Sequence, residues 1–231
     1  MLIIPVIDLH SGNVVHAYKG QRESYEKIRT PLCHGSDPLV VVPALLSLYA
    51  FTTLYIADLN AIKDEGNNNQ IIGELLLQYP DICFWIDSGK YSYPGSFPPN
   101  RLRHIIGTET GISKQNLLNQ SANSNPVLSL DFIDQTLIGE KDILEDSDAW
   151  PDEIIVMTLS RVGSDQGPDL TRLLQIKENA AGKRIYAAGG VRNEDDLEQL
   201  KAQGISGVLV ATSLHNGKIS TNVLRKFFTT Q

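Results

Sequence analysis

The chain has 231 residues, 42% of them hydrophobic and 20% charged, which is the composition of a globular protein long enough for one large α/β domain over residues 1–231. Its net charge of −7 and its pI of about 5.2 exclude nucleic acid as the main partner, because a phosphate backbone binds to a basic stripe and none is present. Two cysteines far apart and five histidines without ligand spacing predict free thiols and no metal site.

The amino terminus begins at once with apolar, strand-like residues and shows no leader pattern. No run of the sequence approaches the roughly 18 apolar residues that cross a membrane. We therefore expect a cytoplasmic protein without membrane contact.

Apolar runs of strand length alternate with helical segments along the chain. The strands are predicted at residues 2–7, 53–57, 82–86, 104–106, 127–130, 153–157, 185–188 and 207–211. Helices are predicted at 38–49, 67–79, 113–119, from 168 onward and after the N-cap Asn193, with a last amphipathic helix using Val223, Leu224, Phe227 and Phe228. Residues 16–36 are polar and predict a long loop, and three prolines exclude a normal helix from 91–100.

Eight strands alternating with helices predict a (β/α)₈ TIM barrel. Similar strand ends recur about one hundred residues apart, which indicates two half-barrels related by pseudo-two-fold symmetry. A doubly wound open sheet is the alternative, and the absence of a Rossmann fingerprint after the first strand disfavours it.

Two aspartates follow strands that lie opposite each other in such a barrel. Asp8 ends the first strand and Asp131 ends the fifth, so the two carboxylates are expected to face each other across the mouth. Such a pair can act as general acid and general base when the environments separate the two pKa values. Alternatively, either aspartate only caps its own loop.

Small residues follow the seventh and eighth strands, where α/β barrels often hold a phosphate. Gly189-Gly190 ends the seventh strand and Thr212-Ser213 ends the eighth. The alternative is that the glycine pair only forms a tight turn.

Several motifs then occur in order: IPVIDLHSGNVV at the amino terminus, LSLD at 128–131, TLSRVGSDQGPDL at 158–170, AAGGVRNEDDL and GVLVATSLHNGKI. Together they resemble the barrel family of histidine biosynthesis, which contains a ribotide isomerase and the cyclase subunit of imidazole-glycerol-phosphate synthase. The resemblance implies that Asp8 is the general base and Asp131 the general acid. We add Thr158, at the end of the sixth strand, to the candidate catalytic set.

The same resemblance implies two phosphate sites. Isomerase chemistry with Asp131 as the acid and Asp8 as the base needs no cofactor, and we expect none. One site would use Gly189, Gly190, Ala211 and Thr212, and the other would use Ser88, Gly89, Gly107 and Thr108.

The chain also departs from the family pattern. Asp87 stands in the loop after strand three, where the family commonly has a glycine triplet and an arginine, and so places a carboxylate at an expected anion site. The stretch Arg161-Val162-Gly163-Ser164 replaces the Arg-Asp-Gly-Thr that is common in the isomerase. It resembles a branch of methanogens and methylotrophs that is linked with methanopterin-dependent one-carbon metabolism.

Three functions stay open from the sequence. The first is an Amadori-type aldose–ketose isomerase that acts on a small phosphorylated substrate, as a monomer or small homo-oligomer. The second is a cyclase or lyase with an ammonia-supplying glutaminase partner, and we expect no such partner. The third is a non-catalytic phosphate-ligand-binding paralogue.

Overall fold

The structure is a computed structural model that describes residues 1–91, 93–95, 97–180 and 182–228, without the side chains of residues 122, 123 and 228. Within this range eight parallel strands form a barrel. They are β1 (Leu2–His10), β2 (Thr53–Asp58), β3 (Cys83–Asp87), β4 (Leu102–Gly107), β5 (Val127–Ile133), β6 (Glu153–Thr158), β7 (Arg184–Ala188) and β8 (Gly207–Val210).

The sheet closes on itself. Each strand pairs in parallel with the next, and β8 returns to β1 in a register that runs from Leu2 opposite Gly207 to Pro5 opposite Val210. A doubly wound open sheet would leave two unpaired edges, so the alternative is wrong and the predicted barrel is confirmed.

The helices differ in length from those that the sequence predicts: the ones predicted at 38–49 and 67–79 are shorter, and the one predicted at 113–119 extends to Asn123. Their bounds are Pro38–Leu46, Leu59–Ile62, Asn69–Gln78, Lys114–Asn123, Asp142–Glu145, Leu170–Asn179, Glu194–Ala202, Thr212–His215 and Thr221–Phe228, with 3-10 turns at Arg22–Ser24, Thr108–Thr110, Ser147–Ala149 and Leu159–Arg161. The described part of 91–100 contains no helix, as its prolines predict. The predicted inward placement of the Phe228 side chain lies outside the described residues.

The loop predicted at 16–36 contains regular structure. Strand β1 turns back at Ser11 and Gly12, which both have positive φ angles, into the short antiparallel strand Asn13–His16. That strand in turn pairs with Glu26–Lys27, and we call residues 13–31 the β1 loop. A second antiparallel strand, Thr136–Leu137, folds back on β5 in the same way. The matching hairpins after β1 and β5 agree with the two-fold pseudo-symmetry.

Two layers of apolar side chains hold the fold together. Alternate residues of the strands point into the barrel, where Trp85 and Tyr186 pack edge to face with centroids 5.0 Å apart. The remaining strand residues pack outward against the helices, and Leu75, Leu197 and Leu224 are fully buried there.

The amino-terminal end of the barrel carries a buried ion pair. Arg103 of β4 contacts Glu153 of β6, and both side chains are 8% exposed. Arg103 also donates to the carbonyl oxygens of Asn125 and Pro126, while Glu153 accepts from the Tyr186 hydroxyl at 3.0 Å. These bonds satisfy charged groups that would otherwise be costly to bury.

Among the described residues, no helix combines the length and apolar character that crossing a bilayer requires.

Candidate active site

A cavity of about 320 Å³ opens at the carboxyl ends of the strands. This is the end at which barrel enzymes place their sites, because the strand-to-helix loops converge there. One side of the cavity carries acidic side chains, and the opposite side carries small residues of the loops after β6, β7 and β8.

Both predicted aspartates line this cavity. Asp8 pairs with Ala57 of β2, and Ala57 pairs with Asp87 of β3. Asp87 therefore lies at the same level of the barrel and also lines the cavity. Asp131 reaches it from β5, opposite β1 in the barrel. The structure therefore brings Asp8 and Asp131 together and adds Asp87 to them.

Asp131 is held in a fixed position by hydrogen bonds. Its Oδ1 accepts from the Ser129 hydroxyl at 2.6 Å, and its Oδ2 accepts from the Glu109 amide at 3.1 Å. Burial, followed by the charge of Glu109, raises the pKa of Asp131 to about 8. Burial and the charge of Glu109 therefore both favour the protonated form of Asp131.

Asp8 is partly buried, and burial also raises its pKa, to about 7. The charge of Arg22 opposes this rise and Asp87 adds to it. The charge of Arg22 therefore favours the ionised form of Asp8, whereas the charge of Glu109 disfavours the ionised form of Asp131.

Arg22 and Glu109 are site residues that the sequence analysis missed. The guanidinium of Arg22, from the β1 loop, donates to both carboxylate oxygens of Glu109 at 2.6 and 2.8 Å. The two residues are 87 positions apart and Arg22 lies in a polar stretch, so no local pattern joins them. The only signal was the unusual length of the loop that carries Arg22.

The residues predicted for the first phosphate site line the cavity together: Gly189, Gly190, Ala211 and Thr212. The amides of Thr212 and Ser213 begin a helix and have no partner within it. Lys218 lies beside them and pairs with Asp165 at 2.7 Å. Gly190 has φ +85°, and a Cβ there would collide with the carbonyl oxygen of Gly167. The fold of the loop itself therefore requires a glycine at position 190.

The residues predicted for the second phosphate site do not line the cavity: Ser88, Gly89, Gly107 and Thr108. The Ser88 hydroxyl donates to the carbonyl of Tyr91, and Thr108 is fully buried beneath Gly139. Asp87 and Glu109 occupy this end of the cavity, and a phosphate there would face their carboxylates.

Thr158, predicted to be catalytic, also lies outside the cavity lining. Successive side chains of a strand point to opposite faces, and it is the neighbouring Met157 that faces the cavity. Thr158 is buried, and its carbonyl oxygen lies where a side chain on Gly189 would collide with it.

We expect the acidic cavity to make the protein less stable as the pH rises. Burial raises the pKa values of Asp8 and Asp131 to about 7 and about 8, and that of Asp87 to about 6, so the folded state binds protons that the unfolded state releases near pH 4. The free energy of unfolding, measured with urea, should be highest below about pH 4 as far as these groups contribute, and should fall up to about pH 8. Asp87→Asn should make the free energy of unfolding fall less steeply with pH, whereas Asp195→Asn, at an exposed position, should leave this pH dependence unchanged. If Asp87→Asn has the same pH dependence as the wild type, this account is contradicted.

Among the described residues, no group of three His, Cys, Asp or Glu side chains is arranged to hold a metal ion.

A closed α/β barrel with acidic and glycine-rich loops around one cavity at the carboxyl ends of its strands has the architecture of barrel enzymes. The chain belongs to the histidine biosynthesis protein family, whose model matches residues 2–220.

Individual relatives cover almost the whole chain. An uncharacterized protein of Methanocaldococcus jannaschii is 31% identical over 98% of this chain and 99% of its own length. Two relatives are named 1-(5-phosphoribosyl)-5-((5-phosphoribosylamino)methylideneamino)imidazole-4-carboxamide isomerase. The one from Nautilia profundicola is 28% identical over 98% of this chain and 99% of its own length, and the one from Thioalkalivibrio sulfidiphilus is 27% identical over 95% and 96%.

Proposed function

We propose that the protein is an aldose–ketose isomerase that acts on a sugar conjugate carrying one phosphate. The observation that supports this most is the pair of carboxyl groups in one cavity, Asp8 and Asp131, whose pKa values burial raises to about 7 and about 8. Relatives that are named isomerases support the same class of reaction.

The reaction needs one acid and one base. Asp131 donates its proton to the ring oxygen of a phosphorylated glycosylamine, which opens the ring. Asp8 then removes the proton from C2, which gives an enolamine. Asp8 returns a proton to C1, and the C2 hydroxyl gives its proton to Asp131, which yields the ketose and restores both groups. The charge of Arg22 lies close enough to lower the pKa of Asp8 and thus favours its ionised, basic form.

The single phosphate would bind at the loops after β7 and β8. Bare amides of Thr212 and Ser213 and the ammonium of Lys218 lie on this side of the cavity. We propose no second phosphate, because Asp87 and Glu109 occupy the opposite end. We therefore propose that the substrate differs from the one for which the relatives are named. A role in methanopterin-linked one-carbon metabolism stays a prediction.

Calorimetry with inorganic phosphate should show one site per chain. Ala211 lines the cavity and has a negative φ, so the backbone there can carry a larger side chain. The carboxylate of Ala211→Glu should repel phosphate and weaken its binding at least about tenfold. Ala202→Glu, on the exposed surface of a helix, is the matched control. Gly190→Asp is a poor test, since its side chain would collide with Gly167. Two phosphates per chain, or no effect of Ala211→Glu, would contradict the assignment.

Activity should be assayed on two substrates of the same reaction type. One is the bisphosphorylated ribotide named for the relatives, and the other is an N-(5-phosphoribosyl) arylamine with a single phosphate. We expect turnover of the second to exceed that of the first. Failure of both, together with tight phosphate binding, would favour the non-catalytic paralogue instead.

A further inference from the structure

The ion pair between Arg22 and Glu109 joins two sides of the barrel mouth. Arg22 lies in the 3-10 turn of the β1 loop, which follows the strand that carries Asp8. Glu109 lies in the 3-10 turn after β4, and β4 pairs directly with β5, the strand that carries Asp131. All four residues line the same cavity. The positive member of the pair therefore comes from the side of Asp8, and the negative member comes from the side of Asp131.

The pair is held in one geometry. Nη2 of Arg22 lies 2.6 and 2.8 Å from the two carboxylate oxygens of Glu109. The two side chains are only 24% and 16% exposed, so salt screens their charges less than it screens charges at the surface. The backbone amide of Glu109 donates to Oδ2 of Asp131 at 3.1 Å. This hydrogen bond keeps the charged turn beside the carboxyl group of Asp131.

Each member of the pair acts on a different aspartate. The positive charge of Arg22 lowers the pKa of Asp8, against the rise that burial causes. The negative charge of Glu109 raises the pKa of Asp131, in addition to burial. The two charges therefore favour opposite protonation states of the two carboxyl groups.

The other ionisable groups around the two aspartates do not distinguish them in this way. The charge of Asp87 raises the pKa of both Asp8 and Asp131. Burial, with the charge of Asp8, raises the pKa of Tyr25 to about 12, and burial raises the pKa of Tyr55 well above its usual value. Both phenols are therefore neutral near pH 7 and add no charge.

Two carboxyl groups that share one proton exist in two forms. In the first form the proton is on Asp131 and Asp8 is ionised, and in the second form the positions are reversed. Both forms bind one proton, so their ratio does not depend on pH. The ratio depends on how the two environments differ, and one unit of pKa difference changes it about tenfold.

We propose that Arg22 and Glu109 are positioning residues whose opposite charges place the shared proton on Asp131 and leave Asp8 ionised. For catalysis the inference rests on the proposed function, because that reaction needs the acid and the base in this order. The placement of the proton is a property of the protein without substrate and does not rest on it.

The test is the order in which the two carboxyl groups ionise. Carbon-13 NMR of aspartate-labelled protein follows both groups against pH, and Asp8→Asn and Asp131→Asn assign the resonances. In the wild type, Asp8 should ionise at the lower pH. The decisive variant exchanges the two charges, Arg22→Glu with Glu109→Arg, and so keeps an ion pair at this place and the net charge of the protein. In this variant Asp131 should ionise first.

Single changes measure the two contributions separately. Glu109→Gln keeps the backbone amide that contacts Asp131 and removes only the charge, so the pKa of Asp131 should fall by at least about half a unit. Arg22→Met removes the charge that acts on Asp8, so the pKa of Asp8 should rise by at least about half a unit.

A second ion pair of the β1 loop provides the matched control. Nζ of Lys63 lies 3.0 Å from Oε1 of Glu23, and neither residue lines the cavity. Lys63→Glu with Glu23→Lys exchanges these charges in the same way. Both titrations should stay as in the wild type.

The proposal is overturned if Asp131 ionises before Asp8 in the wild type, which is read on the unaltered protein. It is also overturned if the exchanged pair leaves the order unchanged, as a pair that only fastens the β1 loop would do. Should the exchanged pair not fold, a titration of Asp131 that Glu109→Gln leaves unchanged overturns it as well.

Turnover of a phosphorylated glycosylamine separates this proposal from the proposed function. In the exchanged pair, turnover at saturating substrate should fall about tenfold for each unit by which the order of the pKa values is inverted. Wild-type turnover in spite of an inverted order would reject the role of the pair in catalysis. The expected order of ionisation in a protein without any turnover would reject the isomerase and leave the placement of the proton standing.

Discussion

Replacing Asp131 by asparagine should lower turnover of a phosphorylated glycosylamine by about 10²–10⁴-fold, and Asp8→Asn should do so by a similar factor. Each change keeps the shape of the side chain and removes the group that transfers the proton. In Asp131→Asn, the Ser129 hydroxyl can rotate to accept from the new amide, so the local structure should be retained. Initial rates at saturating substrate measure the effect.

The substrate affinity should change little in both variants, because the phosphate binds at the loops after β7 and β8. The fold-loss of turnover in the double variant should be smaller than the product of the two single losses, since both groups serve one reaction. Asp195→Asn is the matched control at an exposed position. Wild-type turnover in Asp8→Asn would reject the assigned base.

The two raised pKa values also set the pH dependence. Asp8 must be ionised and Asp131 protonated, so activity should rise as the pH passes about 7 and fall as it passes about 8. Because the two groups share one cavity, the rise and the fall of the pH–activity profile report pKa values of the pair and not of either residue alone.

The largest effect on stability should come from the buried ion pair at the amino-terminal end of the barrel. Glu153→Gln leaves the charge of Arg103 buried without a carboxylate, and breaking such a pair costs about 3–5 kcal/mol. Urea denaturation at constant pH measures the loss. Catalysis should be retained in the folded variant, since this pair lies at the end of the barrel opposite the cavity.

Two comparisons show whether the loss comes from an unpaired charge. Arg103→Met combined with Glu153→Leu removes both charges and should recover much of the stability. Lys218→Met breaks a pair whose side chains are 45% and 65% exposed, and should cost less than about 1 kcal/mol. Equal losses in Glu153→Gln and Lys218→Met would contradict the role of burial.

The barrel could be predicted because each strand is an apolar run whose end is marked by a small or acidic residue. That periodicity also identified Asp8 and Asp131, since a carboxylate directly after a buried strand must lie at the carboxyl end of the barrel. The β1 loop was predicted without strands because the strand Glu26–Lys27 has only two residues and both are exposed.

Other parts of the site depend on contacts between distant segments. Arg22 meets Glu109 across 87 positions, so this pair leaves no pattern in the sequence. The catalytic role of Thr158 stays a prediction, and the alternation of side chains along β6 turns Met157, not Thr158, toward the cavity. The second phosphate site was predicted from the family resemblance, and Asp87 is a position at which the sequence departs from that family pattern.

Deuterium transfer from solvent tests the acid–base account most directly. A phosphorylated glycosylamine is incubated with the enzyme in D₂O, and NMR follows the hydrogen at C1 of the ketose product. Asp8 exchanges the proton it removes from C2 with solvent, so the wild type should yield a product with deuterium at C1, and Asp8→Asn should yield almost no product in the same time. Formation of the ketose at the wild-type rate by Asp8→Asn, with the same deuterium content, would contradict the assignment of the base.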